Sequence, residues 1–323
     1  MNDLDVLIAA RNEQFLGQTI GDVLAHAHSK TRVIAILDGN WPVVPIPDDP
    51  RVILVHHSES IGQRAAVNEA ARISRARYLM KLDAHCSVED GFDAKLIAAD
   101  AELDRPDVTQ IPGQRNLHVY NQRCVACGTE TYQCPPLTAC GKCGGAIEQV
   151  MVWQPKRGSM TTAWRFTPEP KFAYWNSFRR RPDAQPDIHD VMTSLGACFF
   201  MRRARFEEIG GLDESIGSWG SFGIEIALKS MLSGGRHVVN RRTWFAHFFR
   251  VGGLHFPYPI TGAAQEAARE RSRTLWFTNS WPGQTLPLSA VLEKFWPIDG
   301  WTEADLAAHR AAGEAFYRRR QTA

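Results

Sequence analysis

Along the first hundred residues, short apolar runs alternate with longer stretches in which apolar positions recur at helical spacing. Leu4–Ala10, Arg32–Leu37, Val52–Val55 and Tyr78–Leu82 have strand length, whereas Phe15–His28 and Ile61–Arg75 are rich in helix formers. Alternation of this kind predicts a parallel sheet with helices on its faces. Ligands of such sheets sit beyond the carboxyl ends of the strands, in the turns that follow them. Those turns are polar here: Ala10-Arg11-Asn12-Glu13 after the first strand, Leu37-Asp38-Gly39-Asn40 after the second, and Lys81-Leu82-Asp83-Ala84-His85 at the fourth. Turns favour Asp and Asn on their own account, so three polar strand ends suggest a site without defining it.

The pattern breaks at Arg123–Gly145, which is dominated by Cys, Gly, Thr and Pro. The next stretch, Trp153–Pro186, is aromatic, basic and proline-bearing, with no clean period. Regular structure resumes with a strand at Gly196–Met201 and a short helix at Ala204–Ile209. A longer helix over Phe222–Leu232 is stopped by Gly234-Gly235, and further helices are predicted over Ala263–Phe277 and Thr302–Arg320. No internal repeat is visible.

Composition narrows the class. The 323 residues are 44% apolar and 22% charged, as in a folded chain able to bury a sizeable core. A near-balance of 37 basic and 35 acidic residues excludes a protein-wide cationic field and permits local basic patches. The N-terminus has no basic leader or cleavage site, and no apolar run reaches membrane-spanning length. A cytoplasmic chain with no membrane partner is the expectation, with its cysteines kept reduced.

Cys124-Val125-Ala126-Cys127 and Cys140-Gly141-Lys142-Cys143 form CxxC-x12-CxxC. Four thiolates at this spacing suit tetrahedral Zn²⁺, each pair supplied by a tight turn for which Gly128, Gly141, Gly144 and Gly145 give backbone freedom. A disulfide pair is the alternative, opposed by a reducing compartment. Cys134 lies between the pairs, a bystander or a substitute ligand, and Cys86 and Cys198 read as ordinary thiols. A four-Cys site has no open position, so its zinc would hold the excursion rigid. It would either grip a large acceptor or simply brace the fold.

Asp83-Ala84-His85 is the sharpest of the polar turns. Side chains two residues apart at a strand end point the same way, and a carboxylate with an imidazole suits Mn²⁺; a turn cap beside a surface histidine would look the same. In context, the chain resembles the GT-A glycosyltransferases of the family 2 type, and within them the polypeptide N-acetylgalactosaminyltransferases, which use Asp-x-His where most relatives use Asp-x-Asp. Gly196-Ala197-Cys198-Phe199-Phe200 resembles the family's acceptor-side strand, and Phe206–Asp213 its helix and turn. Trp219-Gly220 with Glu225 resembles its Trp-Gly-Gly-Glu-Asn-x-Glu segment, and Ala246-His247-Phe248-Phe249-Arg250 its Gly-His-Val-Phe-Arg. The likeness covers roughly residues 4–110 and 190–280, in the family's order.

The resemblance implies an α/β GT-A fold, into which the four-Cys zinc ribbon would be inserted. Its segments would be a nucleotide-sugar half (1–122), the insert (123–146), an acceptor half (147–280) and a C-terminal extension (281–323). It implies Asp83, His85 and His247 as Mn²⁺ ligands, and Arg250 as a clamp on the donor diphosphate. Ala10, Arg11, Asn12, Glu13, Asp38 and Arg64 would surround the nucleotide of a UDP-sugar donor, and Trp219 and Glu225 would serve catalysis. Inverting relatives carry an acidic base after the Trp-Gly turn; this chain has Phe222-Gly223 there, and Glu225 is the nearest remaining acid. That departure favours a retaining mechanism, with the donor phosphate taking the acceptor's proton.

The acceptor is open. Lys156-Arg157 and Arg179-Arg180-Arg181, beside Tyr174 and Trp175, suit a surface that follows phosphates and stacks on a displaced base. With the zinc ribbon, they favour 5-hydroxymethylpyrimidine in DNA, as in the DNA-modifying glycosyltransferases of bacterial viruses. The alternatives are a hydroxyl of protein or saccharide, and a non-catalytic nucleotide-sugar-binding module.

Overall fold

The computed structural model describes residues 2–42, 44–133, 135–158, 160–250 and 256–321. Strand β1 (Leu4–Ala10) leads into helix α1 (Leu16–His26), strands β2 (Thr31–Asp38) and β3 (Val52–His57), helix α2 (Gln63–Ile73) and strand β4 (Tyr78–Leu82). β1 lies between β2 and β4, and β3 joins β2, all in parallel. Val6, Leu7 and Ile8 are fully buried because helices cover both faces, and α1 turns Leu16, Ile20, Val23 and Leu24 inward at helical spacing.

The short strand β5 (Cys86–Val88), helix α3 (Phe92–Leu103) and the seventeen-residue strand β6 (Val108–Cys124) follow. Two further strands, β7 (Glu130–Tyr132) and β8 (Ile147–Pro155), pair with the outer part of β6 as a ribbon tipped by the cysteine segment. β9 (Trp164–Phe166) and β10 (Phe172–Tyr174) form a separate hairpin, and β11 (Ile188–Asp190) returns to the sheet. Next come β12 (Cys198–Arg202), helices α4 (Arg203–Glu208) and α5 (Phe222–Leu232), and strand β13 (Arg236–His247). The main path of the sheet is β11-β13-β6-β12-β4-β1-β2-β3, with β12 antiparallel to its neighbours.

β6 and β13, the two longest strands, were not announced by the hydrophobic pattern, and neither was α3. Pro112-Gly113 interrupts β6, and the β6–β13 register shifts opposite it, between Asn240 and Trp244. Sheet interiors tolerate proline at such irregularities, where the missing N–H breaks no ladder.

Helix α6 (Gly262–Ser272) ends in a wide π-turn over Arg273–Phe277, followed by α7 (Leu288–Phe295) and α8 (Glu303–Gln321). Leu288, Leu292, Phe295 and Trp301 pack with Phe166, Trp175 and Leu228 in a second core beneath α5. The Trp301 indole N–H donates to the Phe166 carbonyl at 2.9 Å. The C-terminal segment therefore completes the core. No helix of the described residues is long and apolar enough to cross a membrane.

All eleven residues of α5 are buried, including Glu225 and Lys229. Arg64, on α2, bonds Glu225 at 2.8 Å and donates to the carbonyls of Gly217 and Gly220. Lys229 lies 3.4 Å from the same carboxylate and donates to the Gly211 carbonyl. The sequence expectations for Arg64 at the nucleotide and Glu225 in catalysis are therefore corrected: both side chains are at most 1% exposed and hold each other. Removing one partner of such a buried pair leaves an uncompensated charge and costs about 3–5 kcal/mol. Glu225→Ala should thus lower unfolding stability by about that amount in a denaturant titration, while Glu225→Gln, which keeps the acceptor oxygen, should lose less.

Candidate active site

A cavity of about 460 Å³ opens where β1, β2 and β4 end, as expected of a parallel sheet. Arg11, Asp38, Asp83 and His85 line its sheet side, and Trp219, Phe256 and Tyr258 face them from the loops before α5 and α6. Trp219 meets Phe256 edge to face, and the Arg11 guanidinium lies over Tyr258.

Sheet register assembles three donors in this cavity. Asp83 directly follows β4, its N–H held by the Ala197 carbonyl beside β12. His85 immediately precedes β5, and the antiparallel β5–β13 pairing sets Cys86 opposite His247. The Phe248 N–H then donates to the His85 carbonyl. As a result, His85 Nε2 lies 3.1 Å from His247 Nε2, and His247 Nε2 lies 3.3 Å from Asp83 Oδ2. An octahedral ion with bonds near 2.1 Å places neighbouring ligands about 3 Å apart, so these side chains fit three positions around one divalent cation.

Protonation suits the same use. Burial opposes ionisation of Asp83, but Lys81, hydrogen-bonded to its carboxylate, and the hydrogen bond with His247 hold its pKa well below the carboxylate range. Burial drives the His247 imidazole down to about 4, against the pull of Asp83, so the ring is neutral near pH 7. Glu13 also stays ionised: burial raises its pKa, and the stronger pull of His85 and Arg250 lowers it. Glu13 Oε2 lies 3.0 Å from His85 Nδ1, and a carboxylate can only accept. The proton therefore sits on Nδ1, leaving the Nε2 lone pair facing the other two donors.

The remaining expected residues divide. Ala10 and Arg11 line the cavity, whereas Asn12 turns away to donate to the Pro257 carbonyl. Asp38 lines it too, but its carboxylate already accepts from Ser60 Oγ and the Ile61 and Gly62 N–H groups, so it shapes the loop ahead of α2. Arg250, expected at the diphosphate, bridges both Glu13 oxygens at 2.7 Å beside His85 and braces the triad. Sequence reasoning missed Lys81, Gln63 and Tyr258. Lys81 was discoverable as a lone cation in the buried run of β4. Gln63, donating to Asp83 at 3.1 Å, had no signal of its own.

The basic aromatic stretch also needs correction. Trp175 is 1% exposed, and Arg181 stacks on it while donating to the Phe295 and Pro297 carbonyls, so neither is available to a partner. Trp153 bonds Asp22 on α1. Tyr174, Arg179 and Arg180 remain exposed, as do Lys156 and Arg157.

Cys124, Cys127, Cys140 and Cys143 form a second cluster at the ribbon tip. Two matching turns present them, with Gly128 N–H donating to the Cys124 carbonyl and Gly144 N–H to that of Cys140, each glycine in the left-handed region. The Cys124–Cys143 and Cys127–Cys140 sulfurs lie 3.5 and 3.7 Å apart. Bonds of about 2.3 Å to a tetrahedral Zn²⁺ would space them about 3.8 Å, whereas a disulfide requires about 2.05 Å. Cys134 lies outside the described residues.

Residues 5–122 match the model of Glycosyl transferase family 2. A crystal structure of GalNAc-T7 with UDP, GalNAc and Mn²⁺ superposes with a TM-score of 0.61 at 16% identity, covering 96% of this chain and 54% of that one. The chain carries a GT-A glycosyltransferase fold. It spans about half the length of the GalNAc-T7 chain it matches. S. aureus TarS superposes with a TM-score of 0.44 at 10% identity, covering 76% of this chain and 36% of that one, too loosely to carry weight. No curated protein matches the sequence.

Purified chain should carry one zinc ion, released to a chromogenic chelator by a thiol-blocking mercurial, and Cys127→Ser together with Cys140→Ser should abolish the release. Glu13→Gln should weaken Mn²⁺ binding about 10- to 100-fold, the usual effect of losing a partner behind a histidine ligand. Titration of free Mn²⁺ by electron paramagnetic resonance measures it without reference to turnover.

Proposed function

We propose that this chain is a retaining, Mn²⁺-dependent glycosyltransferase that moves a sugar from a UDP-sugar to a hydroxyl of a macromolecular acceptor. The observation carrying this reading is the convergence of Asp83, His85 and His247 on one side of the 460 Å³ cavity. Mn²⁺ held there would neutralise charge on the departing diphosphate. Lys81 and Gln63 hold Asp83 ionised and oriented, and Glu13 with Arg250 holds His85. Arg11, Tyr258 and Trp219 wall the space left for nucleotide and sugar.

A retaining course accords with the carboxylates present. Among the described cavity residues they are Glu13, Asp38 and Asp83, each already engaged, so none is free to serve as the side-chain base of an inverting attack. The acceptor oxygen attacks the anomeric carbon on the face that the diphosphate leaves. The bond from that carbon to phosphate oxygen breaks as the new carbon–oxygen bond forms, and the hydroxyl proton passes to the leaving phosphate.

The favoured acceptor is 5-hydroxymethylpyrimidine in DNA, approached across Tyr174, Arg179, Arg180 and the zinc-tipped ribbon, in the cytoplasm of the cell or of an infected host. The segments 1–122, 123–146, 147–280 and 281–323 would then be donor half, zinc ribbon, acceptor half and extension. The second reading, a hydroxyl of protein or saccharide, is what the resemblance of the Asp83-Ala84-His85 segment to the polypeptide N-acetylgalactosaminyltransferases implies. A binding module without turnover has least support, because the three donors are assembled.

The test is UDP release with Mn²⁺ and a panel of UDP-sugars, with and without hydroxymethylcytosine DNA, and product mass read on the digested DNA. DNA-dependent release with a hexose or N-acetylhexosamine on the base is expected, and Asp83→Ala should slow it at least about a hundredfold. DNA-independent release with no mass gained by any base would move the acceptor to the second reading; no release under any condition would sink enzymatic function.

A further inference from the structure

Strand β4 lies inside the sheet, and Lys81 stands within it, in register with Leu7 of β1 on one side and Phe199 of β12 on the other. Its side chain is 1% exposed. A buried ammonium is tolerated only when its charge and its donors are met. Lys81 donates to Asp83 Oδ1 and, at 2.7 Å, to the Gly196 carbonyl, and its Nζ lies 5.3 Å from the centre of the Phe222 ring. Gln63 donates to the same Oδ1 at 3.1 Å, while Oδ2 is the oxygen turned to His247. A neutral amide thus already orients this carboxylate. What Lys81 adds is charge.

That charge alters the electrostatics of the donor set. Lys81 offsets Asp83 and Arg250 offsets Glu13, both pairs being largely buried, and the His247 ring is neutral near pH 7. The rest of the cavity is no more favourable to a cation. Among the described residues, five lysines and arginines line it against three carboxylates, Glu13, Asp38 and Asp83. Like charges a few ångströms apart repel strongly in a partly buried setting. A divalent ion entering alone meets Lys81 across a single carboxylate, whereas a diphosphate brings enough negative charge to reverse the balance.

We infer that Lys81 is the resident counter-ion of Asp83 and makes binding of the divalent metal conditional on the nucleotide diphosphate. Lys81 acts through Asp83 and is a positioning residue, not a ligand. Metal and diphosphate then raise each other's affinity by one common factor, as linkage requires. This rests on the Mn²⁺ and UDP-sugar reading proposed above.

The experiment is titration of free Mn²⁺ by electron paramagnetic resonance at about pH 7.5, where carboxylates are ionised. It is run with and without saturating UDP on the full chain, on Lys81→Met and on Gln63→Leu. Methionine keeps the length of the side chain and removes the charge; leucine removes a neutral donor from the same oxygen. In the unaltered chain UDP should tighten Mn²⁺ binding at least about tenfold. Lys81→Met should bind Mn²⁺ alone about tenfold more tightly than the unaltered chain, and UDP should then enhance its binding less. Gln63→Leu should bind Mn²⁺ alone no more tightly than the unaltered chain. A merely orienting lysine predicts the opposite sign. Equal or weaker Mn²⁺ binding by Lys81→Met would therefore overturn the inference and leave the metal reading standing, as would equal tightening by Gln63→Leu. Absence of Mn²⁺ binding by the unaltered chain in both conditions would overturn the metal reading as well. Should Lys81→Met fail to fold by circular dichroism, Lys81→Gln, which keeps an N–H donor without the charge, replaces it under the same criterion.

Discussion

The Glu225 carboxylate fixes the geometry of the segment ahead of α5. It is fully buried, accepts from Arg64 and from the Asp213 N–H, and lies beside Lys229. Each cation also binds loop carbonyls: Arg64 those of Gly217 and Gly220, Lys229 that of Gly211. One ionic cluster thereby ties α2, which starts at the loop fixed by Asp38, to the 211–220 segment that carries Trp219. A fully apolar substitute could fill the same volume, but it would leave three loop carbonyls without donors, and buried unpaired carbonyls are costly. The ions here determine conformation in loops that no helix or strand constrains.

The triad depends on a different constraint, the register of the sheet. A one-residue slip in a strand sends every side chain to the opposite face. The pairing of Cys86 with His247 therefore decides whether two imidazoles meet, although 162 residues separate them in sequence. Glu13 and Arg250 add orientation that backbone pairing alone cannot provide, because an imidazole can still rotate about its own bonds. The brace links the turn after β1 to the turn after β13, so the two parts of the sheet meet at His85.

What could be read in the sequence follows from which interactions are local. β1, β4 and α5 have the bounds that periodicity predicts, because each is a simple run uninterrupted by proline. β6 and β13 were hidden by Pro112-Gly113 and by a polar Asn240–Thr243 stretch at the register shift. The thiol cluster was legible because two short turns, each encoded within a few residues, determine it. Arg64 and Glu225 were misread for the opposite reason: their partner is each other, across 161 residues, and a motif position says nothing about burial. Trp175 illustrates the same limit, since an aromatic beside arginines has the same pattern whether it stacks on a ligand or fills a core.

The absence of an acid at Phe222-Gly223 also has a physical cause. A Cβ at Gly223 would lie 1.7 Å from the Ser194 carbonyl oxygen, and one at Gly196 would lie 2.7 Å from the Gly223 N–H nitrogen. The start of α5 is thus pressed against the segment entering β12, with backbone touching backbone and no room for any side chain. A base cannot be placed at 223 without moving α5, and α5 is anchored by Glu225 two residues further on. Its neighbour Phe222 is occupied too, its ring lying under the Arg64 guanidinium and near Lys81. The packing that secures the helix is therefore the same packing that denies the cavity a carboxylate on this side.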